Sequence, residues 1–210
     1  MNSLNTVPPL HVEPEELRVV DRAAAGDSAA RRALFEQHRE AAYRTALRIT
    51  RREEDALDVV QDSFIRAFDR LAEFQRESGF RTWLLRIVAN RALDVLRTRK
   101  VRQAVPLDPG DESRGPQLAA PDTSAPPGQE LERQELAQRL RQALEALPAD
   151  QRAVFALYAT GEMTYGEIAA ALEIPIGTVM SRLYHARRRL FEILPDLATP
   201  GVLANTGRAT

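Results

Sequence analysis

Pro175 constrains this chain more than any other residue. Its ring fixes φ and removes a backbone donor, so no continuous helix can run through it, yet the residues on both sides read as helix. Thr164 and Glu167 stand at capping-box spacing, in which a hydroxyl and a carboxylate satisfy backbone donors reciprocally at a helix start. Ile168, Ala169 and Leu172 give the helix that follows an apolar side. Glu173 to Gly177 is then the break, and a second helix is expected from near Thr178. Val179, Leu183, Ala186 and Leu190 share one stripe of that helix and should face inward, which leaves Thr178, Ser181, Arg182, His185 and Arg188 outward. The pattern is a helix-turn-helix. In its DNA-binding form the second helix lies in the major groove with its N-terminal half at the base edges, and Ser181, Arg182 and His185 are the candidates for that contact. A packed helical hairpin that touches no DNA has the same rhythm, so the rest of the chain has to decide between them.

A chain of 210 residues can bury one ordinary core or two small ones. Its 44% hydrophobic and 28% charged residues suit a folded globular protein. The absence of cysteine excludes disulfides, thiolate catalysis and cysteine-ligated metal, and is compatible with a reducing cytoplasm. No basic patch followed by an apolar run opens the sequence, and no stretch approaches the roughly 20 apolar residues that cross a bilayer. A soluble, cytoplasmic protein with no membrane contact is the expectation. The net charge of −1 argues against a nucleic-acid partner only until its distribution is read. Arg81 to Arg102 holds seven bases against one acid, Asp94, whereas Gln103 to Glu135 holds seven acids against two arginines.

Along the chain, Pro14 opens a short helix that Gly26 ends, and Asp27 or Ser28 caps a longer one to about Thr50. Leu34, His38, Ala41, Thr45 and Ile49 mark its inner side. With no second His or carboxylate at ligand spacing, His38 is expected in the core or at its boundary rather than on a metal. A third helix starts at Glu53 or Asp55, with Ala56, Val60, Phe64, Ala67, Phe68 and Leu71 as its core face. Opposite that face, Asp55, Asp58 and Asp62 line up with Gln61, either as a solvated surface or as a surface for a basic partner. Phe80 begins a fourth helix whose apolar side is Leu84, Ile87, Val88, Val95 and Leu96. Arg86, Asn90, Arg97 and Lys100 occupy much of the remainder. Aromatic rings such as Phe80 and Trp83 beside cations are what unpaired DNA bases stack on, and they are equally what a core needs.

Val105 to Gly128 is rich in proline and acid and has no apolar period, so it reads as a flexible acidic linker. Helical rhythm resumes at Glu130 with Leu131, Leu136, Leu140, Leu144 and Leu147, and Pro148 and Asp150 mark a further helix start. The fold expected is all-α: a helical bundle over 14–102, a linker over 103–129 and a helix-turn-helix domain over 130–194. Tails are expected over 1–13 and 195–210.

In that order the elements resemble the small two-domain sigma factors of bacterial RNA polymerase, the extracytoplasmic-function (ECF) group of the sigma-70 family. DALDVVQDSFIRAF, Asp55 to Phe68, is similar to the family's core-polymerase-binding helix. FRTWLLRIVANRALDVLR, Phe80 to Arg97, is similar to its promoter-melting segment, and LPADQRAVFALY with the helix-turn-helix is similar to its fourth region. The resemblance implies that Asp55, Asp58, Gln61 and Asp62 contact core polymerase. It implies that Phe74, Phe80, Trp83 and Asn90 hold or support a flipped base of the minus-ten element, with Arg86, Arg91 and Arg97 along the backbone. It further implies that Thr178, Met180, Ser181, Arg182, Tyr184, His185 and Arg188 face duplex DNA at the minus-thirty-five element. Met180 and His185 depart from a common family pattern, in which arginine is frequent, so no particular promoter sequence is carried over.

A sigma factor of this kind binds core RNA polymerase, holds the minus-ten element as single strand, has no cofactor, metal or catalytic residue, and is held inactive by an anti-sigma partner. A helix-turn-helix activator or repressor acting alone is the alternative, but it leaves the Asp55 to Phe68 face and the Phe80 to Arg102 helix without a role. An enzyme is disfavoured by the lack of a phosphate loop, metal cluster or nucleophile with its base.

Overall fold

A computed structural model describes residues 14–76, 78–104, 127–161 and 163–194, and these build eight α-helices. The expected tails, and nearly all of the expected linker, lie outside the described residues. The N-terminal half holds α1 (Pro14–Ala24), α2 (Ser28–Thr50), α3 (Glu53–Asp69) and α4 (Phe80–Ala104), with a 3-10 turn over Leu71–Glu73. The C-terminal half holds α5 (Pro127–Glu145), α6 (Ala149–Tyr158), α7 (Tyr165–Leu172) and α8 (Ile176–Ile193).

Local chemistry explains the boundaries. Gly26, at φ +93°, turns the chain between α1 and α2 in a conformation that other residues rarely adopt. Asp27 then caps α2, accepting from the N–H groups of Ala29 and Ala30 at 2.9 and 3.1 Å. The Ala30 N–H, then the Arg22 side chain, hold its carboxyl below the ordinary carboxylate value. Because the folded value is the lower one, this cap contributes fully above the ordinary carboxylate range and loses its effect as pH falls through the lowered value. At α7 both halves of the capping box form: the Glu167 N–H donates to Thr164 Oγ1 at 3.2 Å, and the Thr164 N–H donates to Glu167 Oε2 at 2.7 Å. α8 starts at Ile176, two residues earlier than the periodicity suggested, because Pro175 sits at the N-cap, where its missing N–H costs nothing.

In the N-terminal half α2, α3 and α4 pack on one another, and α1 lies across α2. Leu34, Ile49, Ala56, Phe64, Leu84 and Val88 are buried there. Apart from the small Ala56, each such side chain contributes roughly 1.5–3 kcal/mol relative to exposure. His38 is in this core as expected, 3% exposed, with its ring 5.2 Å from that of Phe80 and Nε2 3.4 Å from Glu16 Oε1. In the C-terminal half Val179, Leu183, Ala186 and Leu190 are all buried, as their stripe predicted.

Two findings go beyond the expected layout. The halves are docked: α6 lies against both α2 and α4, and α7 against α4. Among the described residues one contiguous buried cluster therefore includes residues from Val20 to Leu183, and Ala143, Leu147, Ala186, Leu190 and Leu194 form a separate patch. α4 is also buried differently from its expected stripe. Leu85, Ala89, Ala92 and Leu93 are buried, while Ile87, Val95 and Leu96 are only partly so. A helix covered by its own bundle on one side and by a second domain on another buries more than one stripe.

Thr164→Ala removes the box from a helix of only eight residues, and it should lower stability by about 1 kcal/mol. Urea unfolding followed by circular dichroism measures this, and an unchanged midpoint would show that the box contributes nothing.

Candidate nucleic-acid interface

Three surfaces collect the residues singled out in the sequence. The first is the outer side of α3. Asp58 and Gln61 are exposed there, whereas Asp55 and Asp62 are partly covered because each lies close to a base on α4. Arg91 directs Nε and Nη2 to the same Asp62 oxygen, at 2.9 and 2.6 Å. Asp55 Oδ2 lies 3.7 Å from Arg99 and 4.0 Å from Arg52. Leu57 and Ile65 are half exposed on the same helix, at 53% and 51%. Sequence reading passed over these two, although they were visible as apolar residues standing off the core stripe. The surface is therefore acidic at Asp58, polar at Gln61 and flanked by aliphatic side chains, a composition suited to protein contact.

The second surface is the start of α4. Phe74, Phe80 and Trp83 form one aromatic cluster, with ring centroids 5.3 Å apart for Phe74 and Trp83 and 5.9 Å for Phe80 and Trp83. Phe80 is fully buried and Phe74 nearly so. Those two rings pack against Trp83, which is the partly exposed member of the three. Of the polar residues on α4, Arg86 is exposed, and Arg97 is exposed but paired with Asp94 at 2.9 Å. Arg91 is held by Asp62. The Asn90 amide donates to the Ala171 carbonyl at the end of α7, at 2.8 Å. The structure thus brings Trp83 and Arg86 to one open surface and turns Asn90 and Arg91 toward protein partners.

The third surface is α8. With its four apolar residues facing inward, Met180, Ser181, Tyr184, His185 and Arg188 are exposed, and Thr178 and Arg182 are half-buried. Arg182 reaches back to Asp150 at 3.1 Å, and the rings of Tyr184 and His185 meet edge to face at 5.4 Å. Ile176, at 52% exposed, stands one turn before Met180, at 54%, which stands one turn before Tyr184, at 62%. Ile176 was not among the expected residues. It fell within the expected break, so its place on the helix was hidden by the boundary error. Arg187 packs over the Tyr158 ring at 4.6 Å and so belongs to the joint between α6 and α8.

None of the three surfaces brings a nucleophile to a base, and among the described residues no group of three or more His, Asp or Glu side chains could hold a metal ion. What they offer is an acidic and aliphatic helix face, an aromatic step beside a cation, and a helix-turn-helix with its second helix outward.

Comparison with known proteins bears on all three. Residues 34–102 match the family model for Sigma-70 region 2, and residues 137–190 match that for Sigma-70, region 4. The ECF RNA polymerase sigma factor SigE of Mycolicibacterium smegmatis is 36% identical over 185 residues, covering 87% of this chain and 68% of that protein. The ECF RNA polymerase sigma-E factor of Escherichia coli K12 is 36% identical over 142 residues, 65% of this chain and 72% of that one. Among solved structures, CnrH in complex with the cytosolic domain of CnrY is similar with a TM-score of 0.56 and 28% identity, over 88% of this chain and 99% of that one. The sigma factor RpoE in complex with the anti-sigma factor NepR from Bartonella quintana, 24% identical with a TM-score of 0.54 over 86% of this chain and 94% of that one, shares the fold. The matches place the first two surfaces in region 2 and the third in region 4, and the chain belongs to the ECF RNA polymerase sigma factors of the sigma-70 family, which initiate transcription and are not enzymes.

Proposed function

We propose that this sigma factor docks on core RNA polymerase through the outer face of α3, with Asp58 and Gln61 at the centre and Leu57 and Ile65 beside them. Region 4 then anchors the complex on duplex DNA at the minus-thirty-five element through α8. Met180, Ser181, Tyr184 and His185 meet base edges, and Arg188 meets phosphate. Region 2 holds the minus-ten element as single strand, with an extruded base stacked on Trp83 over the support of Phe74 and Phe80, and Arg86 and Arg97 along the backbone. No covalent step is involved: the binding energy of the unpaired base offsets the cost of unpairing it. The observation that carries this reading is the stripe of α8, whose four apolar residues are all buried so that Met180, Ser181, Tyr184, His185 and Arg188 face solvent. The factor works where transcription takes place, in the cytoplasm. Because two of the similar solved structures each hold a partner, CnrH the cytosolic domain of CnrY and the sigma factor RpoE the anti-sigma factor NepR, an anti-sigma protein is the regulator proposed for this chain as well.

Purified core polymerase with this protein is expected to give discrete run-off transcripts from a genomic template pool that core alone does not give. Silence across the whole pool would remove the reading. Asp58→Arg tests the polymerase face more cleanly than a change at Asp62, because a second guanidinium beside Arg91 would strain the joint between α3 and α4. The variant should lose at least tenfold in affinity for core, measured by fluorescence anisotropy, with unchanged helicity; unchanged affinity would remove α3 from the interface. Trp83→Ala should slow opening of a duplex promoter by tenfold or more, in line with about 1–3 kcal/mol per stacked base, and have little effect on a template with a pre-melted bubble. Equal loss on both templates would mark a packing defect instead.

A further inference from the structure

α1, Pro14–Ala24, ends before the matched stretch of region 2 begins at residue 34, and none of the three surfaces includes it. It packs across α2 and also touches the 3-10 turn Leu71–Glu73. Two of its carboxylates reach the stretch that leads from that turn to α4. Arg76 Nη2 donates to Asp21 Oδ1, 55 residues earlier in the chain. Glu16 places Oε1 3.4 Å from His38 Nε2 on α2, and its Oε2 is so close to Gly79 that a Cβ built on that glycine would stand 3.8 Å away.

The backbone at Arg76 needs such a hold. Its φ is +61°, in the left-handed region that a residue with a Cβ enters only at a cost. Residues kept there persist where their surroundings over-determine them. The other two non-glycine residues of positive φ among those described, Arg51 and Glu173, close α2 and α7, where a left-handed residue serves as a cap. Arg76 closes no helix, and its partner is a carboxylate on α1. Both side chains of that pair are 52% exposed, so the contact adds little to global stability. What it fixes is local.

The turn at Arg76 governs the aromatic step. Two residues before it, Phe74 is buried with its ring 5.3 Å from that of Trp83 and 6.3 Å from that of Phe80. Three residues after it, the Gly79 carbonyl accepts from the Trp83 N–H at 3.2 Å, at the start of α4. His38, beside Glu16, meets the Phe80 ring at 5.2 Å. We propose that α1 is a brace for the strand-opening edge of region 2. Asp21 and Arg76 are positioning residues that touch no DNA: by fixing the turn before α4 they keep Phe74 packed on Trp83 and present the indole in one orientation. The effect on promoter opening rests on the role proposed above for Trp83, whereas the brace itself does not.

Trp83 is the single tryptophan of the chain, so its fluorescence reports on this edge in the free, full-length protein. Asp21→Ala and Arg76→Ala should each raise the acrylamide quenching constant of Trp83 by about half, as local opening uncovers the ring face that lies against Phe74, with helicity and urea midpoint unchanged. With core polymerase, each should slow opening of a duplex promoter about threefold, the scale of one exposed ion pair, and leave a pre-melted template unaffected. The exchanged pair, Asp21→Arg with Arg76→Asp, rebuilds the contact with an aspartate, which enters the left-handed region more readily than most residues, and should recover both values. Unchanged quenching in both single variants would overturn the brace. A defect in the single variants that the exchange does not lessen would overturn the ion pair as its cause, and altered quenching with normal opening would overturn the effect on the promoter. Quenching is read without DNA or polymerase, so it decides the brace even if Trp83→Ala leaves opening untouched, in which case it is the minus-ten reading that falls.

Discussion

The structure depends on α4 being buried from two directions. Leu84, Leu85, Val88, Ala89, Ala92 and Leu93 are all buried and together make a surface wider than one helical stripe. α6 and α7 both lie on α4, and small buried side chains such as Ala89 and Ala92 let neighbouring helices approach closely. Packing at interior density then fixes the helix against rotation. Trp83 and Arg86 are thereby held at one open edge while Asn90 and Arg91 are turned to protein partners.

Much of this was visible in the chain. The stripe Val179, Leu183, Ala186 and Leu190, the Thr164–Glu167 box and the Asp27 cap are local features, decided within a turn or two of helix, and they formed where the spacing placed them. The acidic row of α3 was equally legible as a row. That Asp62 is tied to Arg91 and Asp55 lies near Arg99 was not, because those bases are about thirty and forty residues further on and only the α3–α4 packing brings them across. The docking of the halves was hidden for the same reason. Arg152, buried with its Nε donating to the Ile49 carbonyl of α2, stands in a run that reads as an ordinary helix start, and nothing local separates a buried guanidinium from the many arginines in solvent. The burial of Phe80 against the partial exposure of Trp83, three residues on, was likewise open to either choice. Both are aromatic residues in the first turn of α4, and of the two it is Phe80 whose ring meets His38 on α2, a contact between residues far apart in the chain.

The charges of the two halves work against free DNA binding. Arg91 and Arg97 are each paired with a carboxylate, Arg182 with Asp150 and Arg188 with Glu192. A cation that must leave an acid to meet a phosphate returns less free energy than one that leaves water, and affinity from counterion release grows with the number of phosphates neutralised. With a net charge of −1 the isolated chain lacks the positive field that draws proteins to any duplex. Specificity in such a molecule has to come from base contacts and from a partner that supplies the remaining affinity, and in a sigma factor that partner is the polymerase.

The outward stripe of α8 fits this economy of charge. Ile176, Met180 and Tyr184 are half or more exposed on the helix proposed to face DNA, where a high-affinity binder would place cations. Apolar side chains add nothing to non-specific attraction, yet they discriminate between base pairs through contact with the thymine methyl group. A recognition helix of this kind has little hold on random sequence and gains most from a correct one. Charge pairing and the exposed apolar row of α8 thus both lower the attraction of the isolated chain for random duplex.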